Sequence, residues 1–130
     1  MKGFISNIED ITEENNNFRK ILYTTQGMQL VVMSLLPHED IGLETHEDVD
    51  QFFRVEEGKG KFMIGEETYD IEDDSAFIVP RGTQHNVINT GDKTMKLYTI
   101  YAGPHHKDGI IHPTKADAMI EEHFDGVTTE

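Results

Sequence analysis

Cysteine is absent from the sequence, and basic residues are scarce. Without cysteine the chain cannot form disulfides, thiolate metal ligands or a cysteine nucleophile. Only 11 lysines and arginines stand against 25 aspartates and glutamates, which gives a formal net charge of −14. Nucleic acids and anionic membrane surfaces are bound mainly through basic contacts to phosphates, so neither is an expected partner. No apolar run approaches the roughly 20 residues that a membrane-spanning helix needs.

The length and the N-terminal residues favour one domain in the cytoplasm. A chain of 130 residues is long enough for one hydrophobic core, and we expect a single domain over residues 1–130. The first residues, Met1–Asp10, lack the apolar stretch of a signal peptide, so a cytoplasmic protein is expected. The acidic clusters are most simply a solvated surface.

Short β-type segments separated by glycine-bearing turns make up most of the chain. They lie at 18–24, 28–36, 51–55, 60–64, 68–71, 75–79, 85–88 and 95–101. The segment 28–36 is apolar on both faces, as expected of a strand packed on two sides. Glu56–Lys59 is expected to close a tight hairpin between the neighbouring segments. Regular spacing of this kind is typical of an all-β sandwich or barrel.

Only one segment clearly predicts a helix, and it lies near the C-terminus. Residues 114–122 follow Pro113, with Thr114 as the N-cap and Asp117 near the positive end of the helix dipole. Residues 102–109 read as an irregular connection. We therefore expect a barrel over about residues 18–101, followed by a loop and helix within residues 102–130.

A carboxylate and an imidazole two residues apart indicate the start of a metal site. The side chains of Glu44 and His46 point to the same face of an extended strand. Both groups are metal ligands in proteins. Gln51 shares its parity with Phe53 and Val55 in the next apolar run, which predicts that its amide also points inward.

A second segment fixes the direction of another histidine side chain. Pro80 and Gly82 shape a sharp turn, in which glycine takes backbone angles closed to other residues. His85 follows at the start of a strand, with Val87 and Asn89 on the same side. A histidine held this way after a fixed turn suits a metal ligand.

The second segment resembles the second motif of the cupin superfamily, P-x-G-x-x-H-x-x-x-N, at every defined position from Pro80 to Asn89. The glycine that precedes this motif in the family is replaced by Asp74. The resemblance covers about residues 28–101 and is closest to small single-domain bacterial cupins. It implies a double-stranded β-helix (jelly-roll) barrel with a short C-terminal helix.

The first segment resembles the first cupin motif, with departures at the ligand positions. The family has His-x-His, then Glu and a closing glycine. Here these positions hold Glu44, His46, Gln51 and Gly58. The resemblance thus implies one divalent metal ion at Glu44, His46, Gln51 and His85. Gln51 could instead orient a metal-bound water or a ligand carboxylate, and ligand types leave Zn, Fe, Mn and Ni open.

Three functions are compatible with such a site. The first is a metalloenzyme acting on a small organic molecule inside the barrel, as a metal-dependent oxygenase or isomerase, with Glu44 as a candidate catalytic base. The second is a non-catalytic small-molecule-binding or sensor cupin. The third is a sugar-phosphate isomerase-like protein, since phosphomannose isomerases of the superfamily use a similar ligand set, and Arg81 could meet an anion. A degenerate site without metal is a further alternative.

Two expectations concern regions outside the motifs. Single-domain cupins commonly pair through strands, so the resemblance implies a homodimer, with Phe4–Ile11 as a candidate to cover or exchange an edge strand. His105, His106 and His112 are expected in a solvated loop, with a flap over the barrel mouth as the alternative. The remaining His38 and His123 are expected at the surface.

Overall fold

The computed structural model describes residues 2–130, and Met1 lies outside the described residues. Its elements in chain order are α1 Ile8–Glu14, β1 Arg19–Thr24, β2 Gln29–Leu35, β3 Asp50–Glu57, β4 Gly60–Ile64, β5 Glu67–Ile71, β6 Ala76–Val79, β7 His85–Asn89, β8 Met95–Ala102, β9 Ile111–His112 and α2 Lys115–Ala118. Within residues 2–130 no helix has the length and apolar character needed to cross a bilayer.

The strands form two antiparallel sheets that pack over a shared core. The larger sheet has the order β6-β3-β8-β2-β1-β9, and the smaller has the order β5-β4-β7. Side chains from both sheets, such as Phe53 and Phe62, belong to one buried apolar cluster. This is the jelly-roll barrel that the sequence predicts, and each predicted β segment contains a strand at nearly the predicted position.

The predicted hairpin at Glu56–Lys59 is wrong. β3 pairs with β6 and β8, whereas β4 pairs with β5 and β7. The turn therefore carries the chain from one sheet to the other, although its short length looks like that of a hairpin. Gly58 in this turn has a φ of 118°, and a Cβ there would lie 3.0 Å from Met95 Cα. Glycine is thus needed where the two sheets meet.

The helix prediction is correct near the C-terminus and misses α1. The side chain of Thr114 caps α2 as predicted, and a reciprocal contact from Asp117 completes a capping box, but α2 ends at Ala118. α1 begins after Asn7, whose side chain accepts a hydrogen bond from Asp10 N at 3.0 Å. It packs on the outer face of the larger sheet and so buries Val32 there. Residues 8–11 thus lie in a helix rather than along a strand edge.

The barrel interior is apolar towards one end and polar towards the other. Along β3 the inward residues run from Gln51 through Phe53 to Val55, and along β8 they run from Tyr101 back to Leu97. Gln51 pairs with Tyr101, and Val55 pairs with Leu97. We call the region of the interior around Gln51, Tyr101 and His85 the polar end. The free edge of the smaller sheet is β5, which is exposed along most of its length.

Gly60 gives a test of how closely the neighbouring strands β7 and β8 approach β4. A Cβ at this position would lie 2.0 Å from the Ile88 carbonyl oxygen and 2.8 Å from Met95 Cε. We expect Gly60→Ala to lower the free energy of unfolding by about 1–3 kcal/mol, because overpacking forces the backbone to shift. Urea denaturation measures this change. Gly27→Ala, with no atom within 4 Å of the added Cβ, is the control, and equal stability of the two variants would contradict the packing argument.

Candidate metal centre

Backbone pairing brings the two ligand segments together. Glu44 N donates to His85 O, and His85 N donates to Glu44 O, each at 2.9 Å. Gly82 N adds a third bond to His46 O at 2.7 Å, in a turn where Gly82 has a φ of 80°. The carboxylate segment and the histidine strand are therefore held in register by main-chain contacts before any side chain is considered.

The side chains of Glu44, His46 and His85 converge at this bridge. One ligand atom from each lies within 4.8 Å of the other two. His46 Nε2 is 3.2 Å from Glu44 Oε2, without the geometry of a hydrogen bond. The rings of His46 and His85 are 5.3 Å apart between centroids. Three residues of the predicted site are thus brought together, as the shared parity of Glu44 and His46 predicts.

His85 presents a free lone pair to this cluster. Its Nδ1 lies 3.0 Å from Thr83 O, and since a carbonyl only accepts, the proton must be on Nδ1. Nε2 is then unprotonated, and it is buried with no hydrogen-bond partner. Burial lowers the pKa of His85 below its usual value, which keeps the ring neutral. A neutral imidazole oriented by a carbonyl is the form that ligates metals.

The carboxylate of Glu44 is held in its charged form. Burial alone would raise its pKa, but contact with His46 and the positive charge of Arg19 outweigh burial, so the pKa lies below the ordinary value. Glu44 therefore supplies an anionic oxygen beside two histidines at neutral pH. This set of one carboxylate and two imidazoles suits a divalent first-row metal.

Gln51 lies inside the barrel, as its parity predicts, and is 3% exposed. Its Nε2 donates to Thr99 Oγ1 at 2.9 Å, and Thr99 Oγ1 donates in turn to Phe52 O at 2.8 Å. This chain fixes the amide orientation and leaves Oε1 buried without a partner. An amide oxygen in this state can accept from a bound water or contact a metal.

The unpartnered atoms test whether a metal fits this site. Most buried polar atoms in proteins have a hydrogen-bond partner. Among the described residues, no partner is found for the buried His46 Nε2, His85 Nε2 and Gln51 Oε1. Each can present a lone pair to a cation, His46 when its ring proton is on Nδ1. The residues present therefore fit a divalent metal ion.

His105 lies against the cluster, which agrees with the alternative expectation of a flap over the barrel mouth. Its ring is 4.3 Å from His46 and stacks on Tyr101 at 5.2 Å between centroids. Burial and the neighbouring His106 lower the pKa of His105 to about 4, so its ring is neutral. The alternative of a flap over the barrel mouth thus describes His105 better than a solvated loop does.

His106 is buried, which corrects the expectation of a solvated loop. Its Nε2 lies 3.1 Å from the Tyr101 hydroxyl, and its Nδ1 contacts Glu122 Oε1. Glu122 Oε2 also accepts from Lys107 N at 2.7 Å. The C-terminal segment is therefore attached to the barrel through Glu122, and His112 is also buried. The sequence holds no local signal for the contact between His106 and Glu122, which are 16 residues apart.

Arg81 is already paired with a carboxylate. Its backbone N donates to Asp50 Oδ1 at 2.9 Å, and its side chain contacts the same carboxyl group through Nε at 3.3 Å. These contacts lower the pKa of Asp50. The predicted role of Arg81 as an anion contact beside His85 is therefore weakened, because its charge is engaged on the outside of the barrel.

Comparison with known proteins identifies relatives over nearly the whole chain. Residues 31–101 match the family model described as Cupin domain. The chain is 49% identical over 127 residues to the uncharacterized protein YrkC of Bacillus subtilis (strain 168), covering 93% of this chain and 68% of that protein. It is 35% identical to the uncharacterized protein L612 of Acanthamoeba polyphaga mimivirus, over 83% of this chain and 70% of that protein. The crystal structure of BH2720 from Bacillus halodurans superposes with a TM-score of 0.90 at 46% identity, covering 92% and 96% of the two chains.

The contacts of Glu122 predict that the attachment of the C-terminal segment to the barrel weakens in acid. Burial opposes its charge, but His106 and the Lys107 amide lower its pKa to about 2. An ionised Glu122 therefore stabilises the folded state above its unfolded pKa of 4.5, and this stabilisation is lost as the pH falls from 4.5 towards about 2. We expect Glu122→Gln to cost roughly 1–3 kcal/mol at pH 7, with a difference from wild type that shrinks below about pH 4.5.

Urea denaturation from pH 7 to pH 3 measures this difference. Glu121→Gln is the matched control, since the Glu121 side chain is 83% exposed. Equal stability of the Glu122→Gln and Glu121→Gln variants at pH 7 would show that the contact contributes nothing to the fold.

Proposed function

The chain belongs to the cupin domain family, and we propose that its barrel binds one divalent metal ion and acts as a metalloenzyme on a small organic molecule. The observation that carries this proposal is the convergence of Glu44, His46 and His85, whose ligand atoms lie within 4.8 Å of one another. The unpartnered, buried Nε2 atoms of the two histidines support it. A purely structural cluster would leave these atoms without compensation.

Such an ion would supply Lewis acidity toward a substrate oxygen, or redox chemistry if it is iron. The other roles belong to side chains of the protein. His85, which is oriented by Thr83 O, would bind the ion through Nε2. Glu44 is ionised and its Oε2 can accept a proton from a bound molecule, which is the role of a catalytic base. Gln51 Oε1 either contacts the metal or orients a water beside it.

Two alternatives are weaker. A non-catalytic binding or sensor module would use the same residues, but a site with three protein ligands keeps an open coordination position, which is typical of catalytic metal sites. A sugar-phosphate isomerase-like activity would need basic contacts to a phosphate. Arg81, its candidate, is engaged by Asp50. The enzyme proposal is therefore preferred.

Metal content is the direct test. We expect about one divalent ion per wild-type chain, and its loss in His46→Ala and His85→Ala, because removal of a ligand costs at least about tenfold in affinity. Gln51→Ala should retain the ion with weaker binding. Inductively coupled plasma mass spectrometry after dialysis measures the content. His123→Ala, which replaces an exposed histidine, is the control. Equal metal content in all five proteins would refute the site.

Turnover separates the enzyme from the binding module. Small molecules that raise the melting temperature of the metal-loaded protein are incubated with it and followed by mass spectrometry. Conversion by the metal-loaded wild type that is lost in His46→Ala and His85→Ala would support catalysis at this site. Stabilising ligands that all remain unconverted would point to the binding module instead.

We further propose that the chain forms a homodimer through the outer face of its larger sheet. Strand register places Ile78, Phe52, Ile100 and Leu30 side by side in one row across β6, β3, β8 and β2. Their parity is opposite to that of the inward Gln51 and Tyr101. Ile78 is 63% exposed. A contiguous apolar row on a sheet face is typical of an interface.

A charge placed in this row tests the homodimer. We expect Ile78→Glu to give monomers at micromolar concentration, because an unpaired carboxylate would be buried in the interface. Size-exclusion chromatography with light scattering measures the mass. Met119→Glu, at a side chain that is 76% exposed outside the row, is the control. A monomeric wild type would contradict the proposal outright.

A further inference from the structure

The backbone at His105 is held in place by the side-chain amide of Gln29, the first residue of β2. Gln29 is 0% exposed. Its Oε1 accepts hydrogen bonds from His105 N at 3.1 Å and from His106 N at 2.9 Å. Its Nε2 donates to His106 O at 2.8 Å and to Thr24 Oγ1 at 3.0 Å. Both polar atoms of this buried amide are thus engaged, and they hold residues 105–106 against the barrel.

The other side of the same loop is held by the C-terminal segment. His105 O accepts a hydrogen bond from Phe124 N at 3.0 Å. Glu122 contacts the next two residues, His106 and Lys107. The loop is therefore fixed from two sides, and a side chain carried on it has a defined position, as a residue that contacts a bound ligand requires.

The ring of His105 lies beside the candidate metal centre. Its centroid is 4.3 Å from that of His46, so the two rings are in contact. It also stacks on the buried ring of Tyr101, at an interplanar angle of 24°, which fixes its plane. His105 nevertheless does not belong to the group whose ligand atoms lie within 4.8 Å of one another, namely Glu44, His46 and His85. It is a neighbour of the ligands rather than one of them.

Both ring nitrogens of His105 are available to a bound molecule. Among residues 2–130 no hydrogen bond of either nitrogen is found, and neither nitrogen is fully enclosed, in contrast to His46 Nε2 and His85 Nε2. A neutral imidazole offers one N–H donor and one lone pair. An apolar ring would pack against His46 equally well without two polar atoms that lack a partner.

The centre is also accessible beside this ring. The side chain of Glu44 is 29% exposed, whereas that of His46 is 9% exposed. Three protein ligands leave at least one coordination position of a divalent ion open. A molecule that occupies this position next to His46 comes within reach of the His105 ring.

We propose that His105 is a further binding residue of the barrel, whose imidazole donates a hydrogen bond to the molecule held at the open position of the metal ion. It would select small molecules that present a hydrogen-bond acceptor at or beside the atom bound to the metal. This inference rests on the proposed metal centre and adds to it a residue that recognises the ligand.

Azide binding to the cobalt(II)-loaded protein tests this contact. Azide occupies open positions on metal ions, and its nitrogen atoms accept hydrogen bonds and donate none. Titration followed by the visible absorption of cobalt gives the dissociation constant. We expect His105→Ala to weaken azide binding about three- to tenfold, through the loss of one hydrogen bond. His105→Asn, whose amide keeps an N–H donor, should recover part of this loss.

The two variants leave the local charge unchanged. Burial and the neighbouring His106 lower the pKa of His105 to about 4, so its ring is neutral at pH 7. A change in azide affinity at pH 7 therefore reports the hydrogen bond and not the attraction of an anion. His123→Ala, which removes an exposed histidine, is the control and should bind azide as the wild type does.

Three results would overturn the inference. Equal azide affinity of the His105→Ala and His123→Ala variants would show that the ring makes no contact with the bound molecule. Tighter binding by His105→Ala would show that the ring obstructs the open position. Loss of cobalt from His105→Ala would make the imidazole a metal ligand instead.

Cobalt content of the same samples separates this inference from the metal centre. Normal cobalt content with equal azide affinity in all variants would remove the role of His105 alone. A wild type that takes up no cobalt would remove the proposed metal centre, and the role of His105 with it.

Discussion

A two-bond backbone bridge between Glu44 and His85 is the constraint on which the candidate metal centre depends. The paired donors and acceptors, each 2.9 Å apart, join a loop segment to the first residue of β7, and the Gly82–His46 bond adds a third fixed contact. Side-chain flexibility then contributes little to the position of the ligands. Main-chain contacts of this kind are independent of side-chain identity, so the ligand types at these positions could change while the geometry of the centre stays the same.

The distribution of unsatisfied polar atoms explains how one barrel combines stability with a site. Towards Val55 and Leu97 the interior is apolar and filled. Towards Gln51 and Tyr101 it holds several polar atoms that no residue of the described range 2–130 satisfies. Such atoms lower the stability of the folded chain and raise its affinity for a ligand that completes them. The free-energy cost of these unpartnered atoms is thus concentrated at the polar end, where binding of a ligand can offset it.

Alternation along the strands predicted most of the strands, and the resemblance to the cupin motifs predicted the jelly-roll barrel and the grouping of His85 with Glu44 and His46. Period-two parity gave the inward direction of Gln51 and the shared face of Glu44 and His46. The sequence did not predict which sheet each strand joins, because a short turn such as the one around Gly58 can close a hairpin or connect two sheets. The first helix, α1, was missed because it has few apolar residues and because the surface on which it packs, which includes β2, forms only in the tertiary structure. The contact of His105 with His46 was not predictable residue by residue, because the two lie far apart in sequence.

The exposed edge strand β5 has a consequence for how copies of the chain can meet. Its residue Glu67 places a carboxylate along the free edge, next to Glu66 in the preceding turn and Glu72 after the strand, whereas Asp70 is paired with Lys61. Two such edges approaching one another would bring like charges together at the spacing of paired strands, about 5 Å. Growth of the smaller sheet by addition of a second chain is therefore opposed at neutral pH. The acidic composition thus protects the barrel against aggregation through this edge.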